Sequence, residues 1–155
     1  MLPLKKIVCP TDFSEPSFEA LQAAVELARH FSAELIVVHV VQPIPVVAAE
    51  HMSPAAFNVP AYQAEMELSS RRLLKEQLEQ RVPEGLASRA QVLLGDPADQ
   101  IVQAAADEPA DLIVIATRGQ TGYKRLVFGS VAEKTVRLAS RPVLTIPARS
   151  IEADR

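Results

Sequence analysis

The stretch Ile113-Val-Ile-Ala-Thr-Arg-Gly119-Gln-Thr-Gly122-Tyr-Lys-Arg-Leu-Val-Phe-Gly129-Ser130-Val-Ala-Glu133 sets an apolar strand, a loop and a helix start in succession. Gly119, Gly122 and Gly129 are three of only 5 glycines in the chain. A glycine-poor sequence that gathers side-chain-free backbone in one loop prepares a place where a ligand meets the main chain closely. The expected visitor is a phosphate group, because the first amides of the following helix offer hydrogen-bond donors and the positive end of the helix dipole. Gly119 and Gly129 would keep Cβ atoms out of its way. Ser130-Val-Ala-Glu133 has the spacing of a capping box, which predicts a helix beginning at Ser130 with its hydroxyl as the cap and Val131, Thr135 and Leu138 on one face.

Outward from this run, short apolar segments alternate with amphipathic ones, the pattern of buried parallel strands and crossover helices. Leu4 to Cys9 reads as a strand closed by Pro10. Ser14-Glu-Pro16 opens a helix with a capping serine and a proline in its first turn, and Phe18, Leu21, Val25 and Ala28 form its inward stripe. Glu34 to Val41 is apolar on both faces and predicts a central strand. From Gln42 to Pro60, Pro43, Pro45, Pro54 and Pro60 interrupt any period and predict a long surface loop. Asn58 can cap a helix over about Ala61 to Arg81, with Tyr62, Met66, Leu73 and Leu78 as its apolar positions. Ser88 to Leu94 is a strand, Gly95-Asp96-Pro97 a stop followed by a helix cap, and the next helix carries Ile101, Val102 and Ala105. Asp111 to Ala116 is the fourth strand. The last, Pro142 to Pro147, has proline at both ends and suits a sheet edge.

These elements predict an α/β fold: an open, doubly wound, Rossmann-like sheet of five parallel strands in the order 3-2-1-4-5, with helices on both faces. Residues 1–149 are expected to form one domain, followed by a short tail at 150–155. At 155 residues the chain can bury a core without metal or disulfide support. Ligands of such sheets bind where the winding reverses, here between the carboxyl ends of strands 1 and 4.

Composition narrows the function classes. A net charge of −3 and 5% aromatic content do not suit a nucleic-acid surface, which wants a basic stripe or stacking rings. No segment approaches the roughly 20 apolar residues of a membrane span, and Met1 leads directly into a strand with no secretory pattern. A cytoplasmic protein is expected. Cys9 has no cysteine partner and lies in an apolar run, where a thiol acts as a small hydrophobe. His39 reads as a satisfied core residue, and His30 and His51 show no metal-ligand spacing.

The chain resembles the universal stress protein family over essentially its whole length. Lys5-Lys-Ile-Val-Cys-Pro-Thr-Asp-Phe-Ser14 resembles the family's opening strand and acidic loop, and Val38-His-Val40 its second strand. Gly119-x9-Gly129-Ser130 resembles most of the family's ATP motif, G-x2-G-x9-G-[S/T], with Ala116 in place of the first glycine. Arg141-Pro-Val-Leu-Thr-Ile-Pro147 is similar to its last strand. The resemblance implies ATP, with Mg accompanying it and no protein-only metal site. It implies that Asp12, beside Thr11, holds ribose hydroxyls or the adenine edge, and that Pro10, Val40 and Ile115 line the base pocket. Ala116 and Gly119 would flank ribose and phosphates, while Gly129, Ser130 and Val131 present amides and a hydroxyl to the triphosphate. It also implies a homodimer through the Pro142 to Pro147 edge.

Each residue also has a plainer role open to it. Asp12 can organise the turn before Ser14; Ser130 can cap a helix; Arg118, Lys124 and Arg125 can neutralise phosphate or form a solvated basic face. The sequence carries no G-x-x-x-x-G-K-[S/T] loop, kinase catalytic sequence or G-x-S-x-G turn. The expected function is therefore a nucleotide-dependent stress-response regulator rather than an efficient enzyme. The alternatives are a family member working through protein contacts without nucleotide, and a slow ATPase.

Overall fold

The computed structural model describes residues 3–44, 58–118 and 128–148. Gly119, Gly122, Lys124, Arg125, His51, the prolines at 45 and 54 and the 150–155 tail lie outside the described residues. The elements run β1 (Lys6–Pro10), α1 (Glu15–Phe31), β2 (Glu34–Val41), α2 (Val59–Arg81), β3 (Ser88–Leu94), α3 (Pro97–Asp107), β4 (Leu112–Ala116), α4 (Ser130–Leu138) and β5 (Val143–Ile146). The strands form one parallel sheet in the order β3-β2-β1-β4-β5, the expected topology.

Alternation along the central strands divides the core between the two faces. Ile7, Cys9, Leu35, Val37 and Val114 point to α1 and to Leu74 of α2, whereas Val8, Ile36, Val38, Ile113 and Ile115 point to α3 and α4. Both faces are covered, so these strands are apolar throughout, as a parallel sheet between two helix layers requires. On α1, Leu21, Val25 and Ala28 are buried as expected, joined by Ala20 and Ala24, whose small side chains let the helix lie close to the sheet; Phe18 is half-buried at the margin.

Local chemistry sets most boundaries. Ser14, Asn58 and Asp96 each cap a helix by accepting from a backbone N–H three residues on, and each helix has proline in its first turn. The last helix departs from expectation. Its cap is Gly129, in extended conformation and without a side-chain cap bond, and Ser130 is the first helical residue. Gly129 donates its N–H to Thr117 O, and a Cβ on it would stand 3.3 Å from that same oxygen. The close approach fits the smallest residue best and sets the cap one position ahead of the serine, while the helix itself begins at Ser130 as expected. Leu138 is 45% exposed, and the inward face is Ala132 and Thr135.

α2 also differs. Tyr62, Met66 and Leu73 are exposed, and Leu74 is the buried residue of this helix. α2 packs over β2 and the half-exposed edge strand β3, where Leu74 enters the core and Leu78, as expected, packs at its margin, so a broad apolar stripe has nothing to face. The strand ends shift slightly as well: Pro10 is the last residue of β1 rather than the residue after it, and β5 excludes both flanking prolines.

Ionic contacts close the amino ends of the strands. Arg89 bonds Glu34 at 2.7 Å and also Glu108, and Lys6 lies 3.7 Å and 3.5 Å from the same two carboxylates. The Arg89 hydrogen bond, aided by Gln91, holds the Glu108 carboxyl down at about 2 from its ordinary 4.5. Asp111 accepts from the backbone N–H groups of Lys5 and Lys6 at 2.7 Å and 3.0 Å, bonds that also lower its carboxyl.

Two outcomes are expected. Leu74→Ala should destabilise the fold by about 2–5 kcal/mol in urea unfolding, whereas Leu68→Ala, at a site 69% exposed, should change it by less than about 0.5 kcal/mol. Glu108 has a lower pKa folded than unfolded, so its stabilisation is full above about pH 4.5 and is lost as pH falls toward 2. Thermal melts across that window should show a shallower fall of Tm for Glu108→Gln than for the native chain, from a lower starting value.

Candidate functional site

The site begins with a missing donor. Along β1 the odd residues bond β2 and the even residues bond β4: Thr11 N–H donates to Val38 O at 2.9 Å, and Lys6 O accepts from Asp111 N–H at 2.9 Å. Pro10 is even, so its absent N–H is the one that would carry the β4 ladder forward. The β1–β2 register runs to Pro10↔Val38, but the β1–β4 register ends at Val8↔Ile113. Beyond that point β4 continues beside β5, to Ala116↔Ile146. The strands therefore part where the winding reverses, and a cavity of about 490 Å³ opens between their ends, within the usual size of small-ligand sites.

One lip is the turn from β1 into α1. Asp12 accepts from both the N–H and the hydroxyl of Ser14; the Ser14 hydroxyl in turn accepts from Ser17 N–H as the cap of α1. Thr11 is buried, with its hydroxyl 2.9 Å from that of Ser17 and accepting from Phe13 N–H at 3.1 Å. Asp12 thus organises the turn as its plainer reading held, and that bonding also fixes the carboxylate at the cavity wall.

The other lip is formed by β4 and α4. Thr117 is tied to β5 by N–H donation to Ile146 O at 2.9 Å. Through its own carbonyl it holds Gly129, and hence the start of α4, beside the strand end. Among the described residues no side chain caps α4, so its leading amides, which have no acceptor within a helix, stand at the cavity. Ser130 is exposed there. Pro10, Val40, Ile115 and Val131 supply an apolar slot on the α4 face of the sheet.

Of the residues expected from the sequence, Pro10, Thr11, Asp12, Val40, Ile115 and Ala116 line this one cavity, as do Arg118, Gly129, Ser130 and Val131; Gly119 lies outside the described residues. Ala116 is an ordinary strand residue, 6% exposed, and leaves the crevice open. The sequence reading did not place Thr117, Met66 or Ser70 at the site, yet they also line the cavity. Thr117 was adjacent to chosen residues, but Met66 and Ser70 reach the site only through the placement of α2. His39 is satisfied as expected, yet its partner is the site's own loop, Thr11 O at 2.9 Å from Nδ1. Cys9 is buried, and desolvation pushes its thiol up to about 12, so it carries no thiolate to the site. Among the described residues no group of three or more His, Cys, Asp or Glu could hold a metal, and no helix is long and apolar enough to cross a membrane.

Comparison with known proteins gives a consistent result. The pattern of the Universal stress protein family matches residues 3–147. The universal stress protein MJ0531 of Methanocaldococcus jannaschii is 36% identical over 142 residues, covering 92% of this chain and 81% of that protein. Among solved structures, the protein MJ0577 of the same organism superposes with a TM-score of 0.74 at 27% identity, covering 95% of this chain and 98% of that one. The universal stress protein from Archaeoglobus fulgidus, solved in complex with dAMP, has a TM-score of 0.62 at 25% identity, covering 94% of this chain and 99% of that one. With its strand order, its crevice and these relatives in agreement, the chain belongs to the universal stress protein family.

Proposed function

We propose that this chain binds an adenine nucleotide, ATP in the cell, in the crevice between β1 and β4, and acts as a nucleotide-dependent regulator of the stress response. The observation that carries the reading is that Asp12 and the start of α4, which no side chain among the described residues caps, line one cavity with an apolar slot between the strand ends. The dAMP complex of the Archaeoglobus fulgidus relative supports it.

The chemistry of the lining fits such a ligand. Pro10, Val40 and Ile115 would enclose a flat base by apolar contact. Asp12, an anionic acceptor, would take hydrogen bonds from ribose hydroxyls. Gly129, Ser130 and Val131 would donate amides, and Ser130 a hydroxyl, to phosphate oxygens, with Ala116, Thr11 and Arg118 framing the path and Gly119 completing it. Mg would accompany the phosphates rather than sit in a protein cage.

The same reading takes residues 1–149 as one domain with a tail at 150–155, placed in the cytoplasm. It pairs two copies through the edge strand β5, where Leu144 is 39% exposed and an open backbone edge invites a partner strand. Binding alone is the function proposed, and turnover is no part of it.

Small molecules extracted from freshly purified protein and weighed by mass spectrometry should include an adenine nucleotide, and calorimetry with ATP should give saturable heat; neither signal appearing would end the reading. Asp12→Asn keeps an acceptor for Ser14 but loses the charge, and should weaken ATP binding by about 10-fold or more. Ala116→Gly should alter affinity by no more than about threefold, since the alanine already adopts ordinary strand geometry.

A further inference from the structure

We infer that His39 is a positioning residue: it bolts the Asp12 turn to β2 and thereby sets the affinity of the crevice for nucleotide. The inference deepens the function proposed above and rests on it. It starts from a strained backbone. Phe13, next to Asp12, has φ +65°, a left-handed conformation that bulky residues rarely take unless their surroundings hold them there.

The holding contacts converge on His39. The β1–β2 register ends at Pro10↔Val38, and one step further Thr11 O is met by the His39 ring, with Nδ1 at 2.9 Å across 28 residues of sequence. The Phe13 ring lies on the same imidazole, centroids 4.4 Å apart and planes tilted by 34°. A carbonyl oxygen only accepts, so Nδ1 must carry the proton, and chemistry assigns the tautomer. His39 therefore grips the turn on both sides of Asp12: Thr11 by a hydrogen bond and Phe13 by ring contact.

Alternation along β2 shows why this residue has the task. Val38 and Val40 turn to the α4 face, where Val40 borders the apolar slot. His39, between them, turns to the α1 face, where Phe13 packs. The end of β2 thus lines the cavity with Val38, His39 and Val40, and the imidazole of His39 also braces the Asp12 turn from the α1 face. The hydroxyls of Thr11 and Ser17 hold the turn to α1 and Thr11 N–H ties its first residue to Val38 O of β2; the imidazole adds the side-chain tie to the sheet, and it also meets the Phe13 ring.

The test uses the full chain and two variants. His39→Phe keeps a ring against Phe13 and removes the donor, whereas His39→Asn places an amide donor near the position of Nδ1. Calorimetry with ATP should show His39→Phe weaker than the native chain by about 10-fold and His39→Asn within about threefold of it. Long-range proton–nitrogen NMR of the free native chain should find the His39 ring protonated on Nδ1. Equal ATP affinity in all three chains, or a ring protonated on Nε2 alone, would overturn the inference while leaving nucleotide binding intact. If the native chain binds no adenine nucleotide, the functional reading falls, and His39 is judged on the free protein. Phe13 and Ser14 amide resonances displaced in His39→Phe but restored in His39→Asn uphold its bracing role; resonances unmoved in either variant refute it.

Discussion

The absent N–H of Pro10 is the constraint from which the functional end of this molecule follows. A parallel sheet persists only while each strand supplies donors to both neighbours, and β1 stops supplying β4 at that residue. Because β1 and β4 are also the strands from which the winding departs in opposite directions, their crossover helices lie on opposite faces of the sheet. A crevice therefore opens at the one place where two loops and a helix start converge. Asp12 leaves from one lip and Thr117 from the other, and Gly129 returns to the second lip by donating to the Thr117 carbonyl.

The two ends of the sheet are built for different purposes. At the amino ends, Asp111 ties β1 to β4 through two backbone donors, and Arg89 and Lys6 bridge Glu34 and Glu108. These contacts hold the strands in register where the ladder is complete. At the carboxyl ends the polar groups are spent on shaping a turn: the hydroxyls of Thr11, Ser14 and Ser17 interlock around Asp12 and a left-handed Phe13. Rigidity at one end lets the other keep an open cavity and an unfavourable backbone conformation without loosening the fold.

Caps and strands were legible where the deciding interaction is local. Ser14, Asn58 and Asp96 act within their own helical turn, and the prolines beside them leave little choice of helix start. The helix start at Ser130 was read correctly, but its cap was misread, because a contact with Thr117, from a different element, places Gly129 in the cap position. The inward face of α2 was misread for a related reason: its partner is an edge of the sheet, so the exposure of Tyr62, Met66 and Leu73 depends on where the helix lies rather than on their spacing.

The amino-acid sequence by itself determined the order of strands and helices, the two-sided burial of β1, β2 and β4, and hence the sheet order and the position of the crevice. Those features depend on polarity period and on proline, which act within a few residues. Only the tertiary structure decided that Met66 and Ser70 reach the cavity, that Gly129 replaces Ser130 as the cap, and that His39 grips Thr11 and Phe13. Each of these depends on contacts between elements far apart along the chain, whose distances are set by packing the two helix layers against the sheet.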